Sequence, residues 1–304
     1  TQDIAISVLY IKLLNFEERG KGSSSKILAL NLASILGSGL FLVVYNHAGW
    51  SATMLAMGVM VLSALPALHF LEEKEQKDHP VSAGFDWSAL FTFFRGKGMV
   101  KWTVLIVLHS ISVSTVFFMV KPFLVDQGVD PDVIAFIVGF YGMTVAALAA
   151  MAAGNKFFQR YLLKRRKAYI ATSFINAAAV ILFIPIALHH DQYIMLYIAI
   201  ALLNAAMTIS SVVSATLVMD FARKGYESID YSLQMTGLHI GALAMAAASG
   251  FIVAQTGYYA FLLLQGLISI ALIFLTISLF KGAWIPRPSA EEEGLASDNV
   301  AAGH

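Results

Sequence analysis

The chain has 304 residues, of which 58% are hydrophobic and 13% charged, with a net charge of +1 and a mean hydropathy of +0.73. Soluble domains carry about 25% charged residues, so this composition excludes a soluble protein and indicates a helical membrane protein. The chain contains no cysteine, which excludes disulfides, thiolate metal ligands and thiol catalysis.

Apolar stretches long enough to cross a bilayer recur along the chain. A spanning helix needs about 20 mostly apolar residues, whereas transmembrane β-strands would be about half as long and would alternate in polarity. We therefore predict an all-α polytopic fold with eight complete helices, preceded by a partial apolar helix at 1–14. The predicted spans are 27–46, 50–71, 100–124, 132–154, 168–188, 192–219, 231–255 and 258–280.

The basic residues orient these spans. Of the 20 Lys and Arg residues, only Lys121 lies away from one alternating set of connections and the helix ends beside them. Because Lys and Arg are enriched in cytoplasmic loops, we predict that these connections and the C-terminus are cytoplasmic. The set consists of 15–26, 72–99, 155–167, 220–230 and the tail after 281. Nothing in this charge pattern predicts a nucleic-acid partner, and the lipid bilayer is the expected surrounding.

The longest connection divides the chain into two parts. We expect 1–71 to be the remnant of an N-terminal helical bundle, 72–99 a cytoplasmic interdomain loop, and 100–281 a six-helix C-terminal bundle. Within the loop, the aromatic-rich segment 85–95 is typical of a short helix lying at the membrane interface. The tail 282–304, rich in Pro, Glu and small residues, is predicted to be disordered.

Several motifs resemble a known transporter family. The chain opens on TQDIA, continues with EERG at 17–20, and then with the helix ALNLASILGSG at 29–39. With six helices after a long cytoplasmic loop, this order resembles major facilitator superfamily permeases of the AmpG-related and RhtX/FptX group. The stretches FFMVKPFLVDQG at 117–128 and SIDYSLQ at 228–234 resemble the siderophore branch more than the muropeptide branch.

The resemblance implies a twelve-helix transporter, within which this chain would be N-terminally truncated and start in the fourth helix. It implies secondary active transport by alternating access, coupled to protons, of a siderophore or similar polar or anionic small molecule across the bacterial inner membrane. The protein would be a monomer, with the proton gradient as its energy source and no cofactor. A muropeptide (AmpG-like) permease and a non-transporting truncated membrane protein are the alternatives.

The chain departs from this family pattern at two positions. Ser7 stands where the family has a second Asp, and Asn31 where it has an Arg. The two losses together keep the membrane interior neutral, as the cost of an unpaired charge there requires. We predict no enzymatic activity and no metal site, because no Ser/His/Asp constellation, HExxH helix or phosphate-binding glycine loop is present.

Ionisable residues within spans are the first candidates for function. Asp3 is either a proton-accepting or substrate-contacting carboxylate in a cavity, or a structural hydrogen-bond acceptor. Lys121 lies on the same helical face as Thr103, Ser110 and Ser114, because the four residues fall within about 40° of one another around the axis of an ideal helix. This stripe predicts a cavity face whose amine meets an anionic substrate, although a lysine near a helix end also reaches the headgroups by snorkelling.

Two histidines lie in the middle of predicted spans. His239 shares a helical face with Ser232 and Thr236, and it is a candidate proton carrier because imidazole titrates near physiological pH. His109 points away from Ser110 and is more consistent with a hydrogen bond to a neighbouring helix. The same structural role remains open for His239.

Other polar and small residues follow helical spacing. Asn204, Thr208 and Ser211 form a face suited to substrate contact or to hydrogen bonding between helices. The small residues Gly237, Gly241 and Ala248 predict close helix packing on the side opposite His239.

The segment 155–167 contains Arg165, and its density of basic residues indicates a role in topology and headgroup contact. A gate-latching pair between Arg165 and Asp220 is the alternative.

Overall fold

The computed structural model describes residues 2–37, 41–63, 66, 87–109, 111–188 and 193–280, and within them every regular element is a helix. The predicted all-α fold is thereby confirmed. Of the sequence predictions, Ser110, the segment 72–86 and the tail 282–304 lie outside the described residues.

The helices are numbered here in chain order. One stretch between α7 and α8, Ala135–Tyr141, is π-helical, and Pro185–Ala187 forms a 3₁₀ turn after α10. The α-helices are α1 Gln2–Leu13, α2 Arg19–Ile35, α3 Phe41–Leu62, α4 Trp87–Arg95, α5 Met99–His109, α6 Ile111–Asp126, α7 Pro131–Ile134, α8 Gly142–Gly154, α9 Lys156–Leu162, α10 Arg165–Ile181, α11 Tyr193–Asp220 and α12 Glu227–Leu279.

Five of the described helical stretches are long and apolar enough to cross a membrane. The last of them runs over 53 residues, but Gly257 at φ 76° breaks it into two segments at the predicted boundary 256–257. Gly49, at φ 77°, likewise interrupts α3 where a loop at 47–49 is predicted. A left-handed backbone is readily adopted only by glycine. The five stretches are Met99–Asp126, Pro131–Gly154, Arg165–Ala187, Tyr193–Asp220 and Glu227–Leu279; the count of eight spans stays a prediction.

Two clusters of buried side chains hold the bundle together. One lies between α6, α10 and α11 and includes Val116, Phe183 and Leu203. The other lies toward the opposite end and includes Trp102 and Tyr169. Large apolar side chains on the outer surface, such as Phe251 and Phe274 at 68% exposed, are those expected to face lipid in a membrane helix bundle.

Buried polar groups also tie helices to one another. The Nε1 of Trp102 donates to Oε1 of Gln234 at 2.5 Å, joining α5 to α12. The ring nitrogens of His109 lie 3.0 Å from Thr172 Oγ1 and 3.2 Å from Ser173 Oγ, both on α10. The predicted interhelical role of His109 is therefore confirmed.

The small residues of α12 allow close approach of α5. A Cβ on Gly241 would lie 3.0 Å from the backbone oxygen of Val107, and one on Gly237 would lie 3.3 Å from the Val107 side chain. The predicted close-packing face is confirmed at these two glycines, whereas Ala248 is only partly buried.

Candidate functional site

A cavity of about 290 Å³ runs along α12 beside the start of α1. It brings together Asp3 and His239, which are 236 positions apart in the chain and which the sequence singled out separately. The two residues sharing the predicted face with His239 also line it. The lining residues are Asp3, Ile4, Tyr231, Ser232, Met235, Thr236, His239, Ile240 and Leu243.

Asp3 is ion-paired at the edge of this cavity. The Nζ of Lys26 lies 2.7 Å from Oδ1 of Asp3, and it also donates to Ser7 Oγ at 2.6 Å and to the Tyr231 hydroxyl at 3.0 Å. The Tyr231 hydroxyl in turn donates to Oδ2 of Asp3 at 3.4 Å. The side chain of Asp3 is 54% exposed and that of Lys26 is 11% exposed, so the carboxylate is the accessible member of the pair.

This arrangement corrects one expectation from the sequence. The sequence places Lys26 among the cations of the connection 15–26, but the residue lies inside α2 and points to Asp3. Ser7 accepts a hydrogen bond from the same amine. Asp3 therefore has a cationic partner in Lys26, although Asn31 itself carries no charge. The sequence signal for this role is a lysine directly before a predicted span and directly after three serines.

His239 lies exposed on the cavity wall. Its Nδ1 is 2.7 Å from the carbonyl oxygen of Met235, one turn earlier in α12. A carbonyl only accepts, so Nδ1 carries a proton in this arrangement and Nε2 is the nitrogen that can take up another.

Thr103, Ser114 and Lys121, the described residues of the predicted stripe, do not line this cavity. Ser114 is 6% exposed, whereas Lys121 is exposed on the surface of α6. Thr103 donates its hydroxyl to the backbone oxygen of Met99. Because these side chains lie in different environments, any contact of Lys121 with substrate stays a prediction.

Two of the three residues of the predicted polar face of α11 are buried, whereas Ser211 is exposed. Asn204 and Thr208 are 4% and 6% exposed, and Nδ2 of Asn204 donates to the carbonyl of Ile200. Gly142 of α8 provides the space, since a Cβ there would lie 2.9 Å from Nδ2 of Asn204. These contacts favour the helix-packing role over the substrate role that the sequence left open.

A second charged cluster joins distant segments at the end of the bundle that carries the basic loops, which we call the basic end. Oδ2 of Asp220 accepts from Nε of Arg165 at 2.7 Å, and Oδ1 accepts from Nη1 of Arg19 at 3.1 Å. Nη2 of Arg165 donates to the carbonyl of Phe16 at 2.7 Å, and its guanidinium lies 4.2 Å from the centre of the Phe16 ring. The sequence pairs Arg165 with Asp220 but does not predict Arg19 or Phe16.

The turn between α11 and α12 holds a further ion pair. Nη2 and Nε of Arg223 donate to Oδ1 and Oδ2 of Asp230 at 2.7 and 2.8 Å, and the Asp230 side chain is fully buried. These hydrogen bonds raise the pKa of the Arg223 guanidinium. Nη1 of Arg223 reaches Thr92 of α4 at 3.1 Å, so the pair also fixes α4 to the bundle.

The sequence model of the Major Facilitator Superfamily matches residues 3–228 and, in a second overlapping match, residues 103–300. The chain belongs to the Major Facilitator Superfamily. Overlapping matches fit a family whose two halves are repeats of one another.

Membership in the Major Facilitator Superfamily makes this chain a multi-pass membrane protein of a transporter family. Its partners are a lipid bilayer and a small-molecule substrate, and the family is one of transporters rather than enzymes.

Proposed function

We propose that this major facilitator protein is a proton-coupled secondary transporter that imports a siderophore or a similar polar or anionic small molecule by alternating access. The motifs shared with the AmpG-related and RhtX/FptX group support the substrate class. The same resemblance supports a monomer in the bacterial inner membrane with its C-terminus in the cytoplasm.

One observation carries the coupling proposal. Asp3 of α1 and Tyr231 of α12 lie on the wall of the cavity, and both contact the amine of Lys26 from α2. Ionisable residues at such positions are costly and are retained chiefly for function. The carboxylate of Asp3 is half-exposed, and its partners come from segments that are far apart in the sequence. Its protonation can therefore be linked to the relative position of those segments.

The chemistry at Asp3 follows from its partners. An ionised carboxylate attracts the ammonium of Lys26 and accepts from the Tyr231 hydroxyl. A proton on Asp3 removes the negative charge that holds Lys26, which weakens the contact of α1 and α2 with α12. Protonation and solute binding can then favour different arrangements of the same helices, which is the requirement for coupling. His239 is the second proposed proton carrier, since it lines the same cavity.

We further propose that the cluster at the basic end works as a gate. Arg165 and Arg19 both bind Asp220, and Arg165 also binds Phe16 in the connection between α1 and α2. These bonds join the segment 1–71 to the segment 100–281. Opening the cavity toward this end requires that they break.

The test of coupling is uptake by cells that express the protein. We expect labelled ferric siderophore to accumulate, and accumulation to stop when the proton gradient is collapsed. Asp3→Asn should still equilibrate the solute but should not concentrate it, because the variant cannot exchange a proton at this site. Siderophore uptake that survives loss of the gradient contradicts proton coupling.

The same cells separate the alternatives. Uptake of a labelled muropeptide in place of siderophore assigns the muropeptide branch, and absence of uptake for both classes supports a non-transporting protein. Lys121→Ala should weaken siderophore uptake while membrane insertion remains intact. Unchanged uptake kinetics in that variant remove Lys121 from the substrate path.

A further inference from the structure

The helix α4 has two faces that differ in exposure. Phe93 is fully buried in the cluster around Trp102, and Thr92 accepts a hydrogen bond from Arg223. By contrast, Phe91 is 69% exposed and Phe94 is 37% exposed. The helix is therefore anchored to the bundle on one side and presents aromatic rings outward on the other.

The position of α4 relative to the membrane follows from the chain itself. It ends at Arg95, and α5, which begins a membrane-long apolar stretch, starts at Met99. Four residue steps reach at most about 14 Å. The C-terminal end of α4 is therefore held within about 14 Å of the residue at which this apolar stretch begins.

Three cations follow this exposed aromatic face in the sequence. Arg95, Lys97 and Lys101 follow within ten residues of Phe91, and all three are exposed. Within the described part of the chain, none of the three forms an ion pair. Lys and Arg beside an amphipathic helix attract anionic lipids, while aromatic rings enter the boundary between headgroups and acyl chains.

We propose that α4 with Arg95, Lys97 and Lys101 is a binding surface for anionic phospholipid. Phe91 inserts among the acyl chains, and the three cations bind phosphate groups of the headgroups. Arg223 connects this surface to the rest of the bundle, because it holds Thr92 with one nitrogen and Asp230 with two others.

The absence of cysteine from the sequence makes a direct test simple, since a single introduced cysteine can carry a nitroxide spin label. We would place the label with Phe91→Cys, with Val104→Cys as a reference on the exposed, lipid-facing side of α5, and with Glu17→Cys as an exposed reference in the connection between α1 and α2. The protein is reconstituted in vesicles of phosphatidylcholine with or without phosphatidylglycerol. Electron paramagnetic resonance then compares the accessibility of each label to oxygen and to a water-soluble nickel complex.

We expect the label at position 91 to resemble the Val104 reference, and to become more immersed when phosphatidylglycerol is present. Replacement of Arg95, Lys97 and Lys101 by Gln should abolish the effect of phosphatidylglycerol while the Val104 label remains unchanged, which shows that the fold is intact. A label at 91 that matches the Glu17 reference in both kinds of vesicle overturns the proposal. An effect of phosphatidylglycerol that survives the triple replacement overturns the assignment of the cations. Neither measurement depends on the transported solute.

Discussion

The Nε of Arg165 lies 2.7 Å from Oδ2 of Asp220, and the two side chains are 3% and 0% exposed. A charge in this environment is tolerated only while it is paired, because removal from water costs several kcal/mol for each ion. The guanidinium of Arg19 shares the same carboxylate at 3.1 Å. Asp220 therefore balances two cations that come from separate parts of the chain.

We expect Asp220→Asn to lower the free energy of unfolding by about 3–5 kcal/mol, because it leaves Arg165 buried without a counter-charge. Unfolding in detergent micelles, followed by circular dichroism, measures this loss. Asp132→Asn is the matched control. Asp132 is exposed at the start of α7, and surface substitutions usually change stability by about 0.5 kcal/mol or less. Equal stability of the two variants would show that the Asp220 cluster does not hold the basic end together.

Tyr231→Phe tests the contact between α12 and the Asp3–Lys26 pair. The substitution removes the hydroxyl that lies 3.0 Å from Nζ of Lys26 but keeps the buried ring, so we expect a loss of about 1 kcal/mol in stability. The rate of gradient-driven uptake should fall by much more than this loss of stability explains. Initial uptake rates, normalised to the amount of folded protein in the membrane, provide the measurement.

Tyr259→Phe serves as the control for the tyrosine series, because Tyr259 is 41% exposed and lies two residues after the break at Gly257, outside the cavity lining. Its uptake should equal that of the parent protein. Wild-type uptake by Tyr231→Phe would mean that the hydroxyl does not take part in coupling.

Gly241→Ala should strain the contact between α5 and α12. The added Cβ meets the backbone oxygen of Val107 at 3.0 Å, and backbone cannot move aside as a side-chain tip can. Overpacking of this kind costs about 1–3 kcal/mol, which thermal unfolding in detergent would detect. Gly250→Ala lies on the same helix with open space around the added Cβ. Gly250→Ala should be neutral or stabilising by up to about 1 kcal/mol through helix propensity. A Gly250→Ala protein that is less stable than the Gly241→Ala protein would refute the close-packing assignment.

Arg223→Gln removes the partner of a fully buried carboxylate. We expect a loss of about 3 kcal/mol, and Arg223→Lys should recover only part of it because an ammonium cannot match the two-point geometry. Urea unfolding of the three proteins tests this order. Full stability of the glutamine variant would contradict it.

The pH dependence of this pair has a definite sign. Hydrogen bonds to Asp230 raise the pKa of Arg223. A raised pKa gives stability that is complete below the unfolded pKa and is lost as the pH rises through the folded pKa. The contribution of the Arg223 guanidinium should therefore be constant between about pH 6 and pH 9. A fall in the stability difference between wild type and Arg223→Gln as pH rises across this range would contradict the assignment.

Much of the architecture is a local property of the sequence. Hydropathy alone predicts helices, because unpaired backbone groups cannot be exposed to lipid and the helix satisfies them internally. The interruptions at Gly49 and Gly257 fall where loops were predicted, since glycine permits the left-handed backbone that a sharp reversal needs. Asp3 and His239 are recognisable as candidates because ionisable residues are rare inside spans.

The partners of Asp3 were decided by tertiary structure alone. Tyr231 lies 205 positions from Lys26 and 228 positions from Asp3, and no local pattern relates such distant side chains. Hydropathy assigns Lys26 to a loop. In the structure the residue lies in α2, and its amine points toward Asp3 and Ser7 of α1. The sequence by itself thus determines that the protein is a bundle of membrane helices carrying a few costly polar groups. Only the packing of those helices decides which groups meet, because a buried charge must find its counter-charge on whichever helix lies beside it.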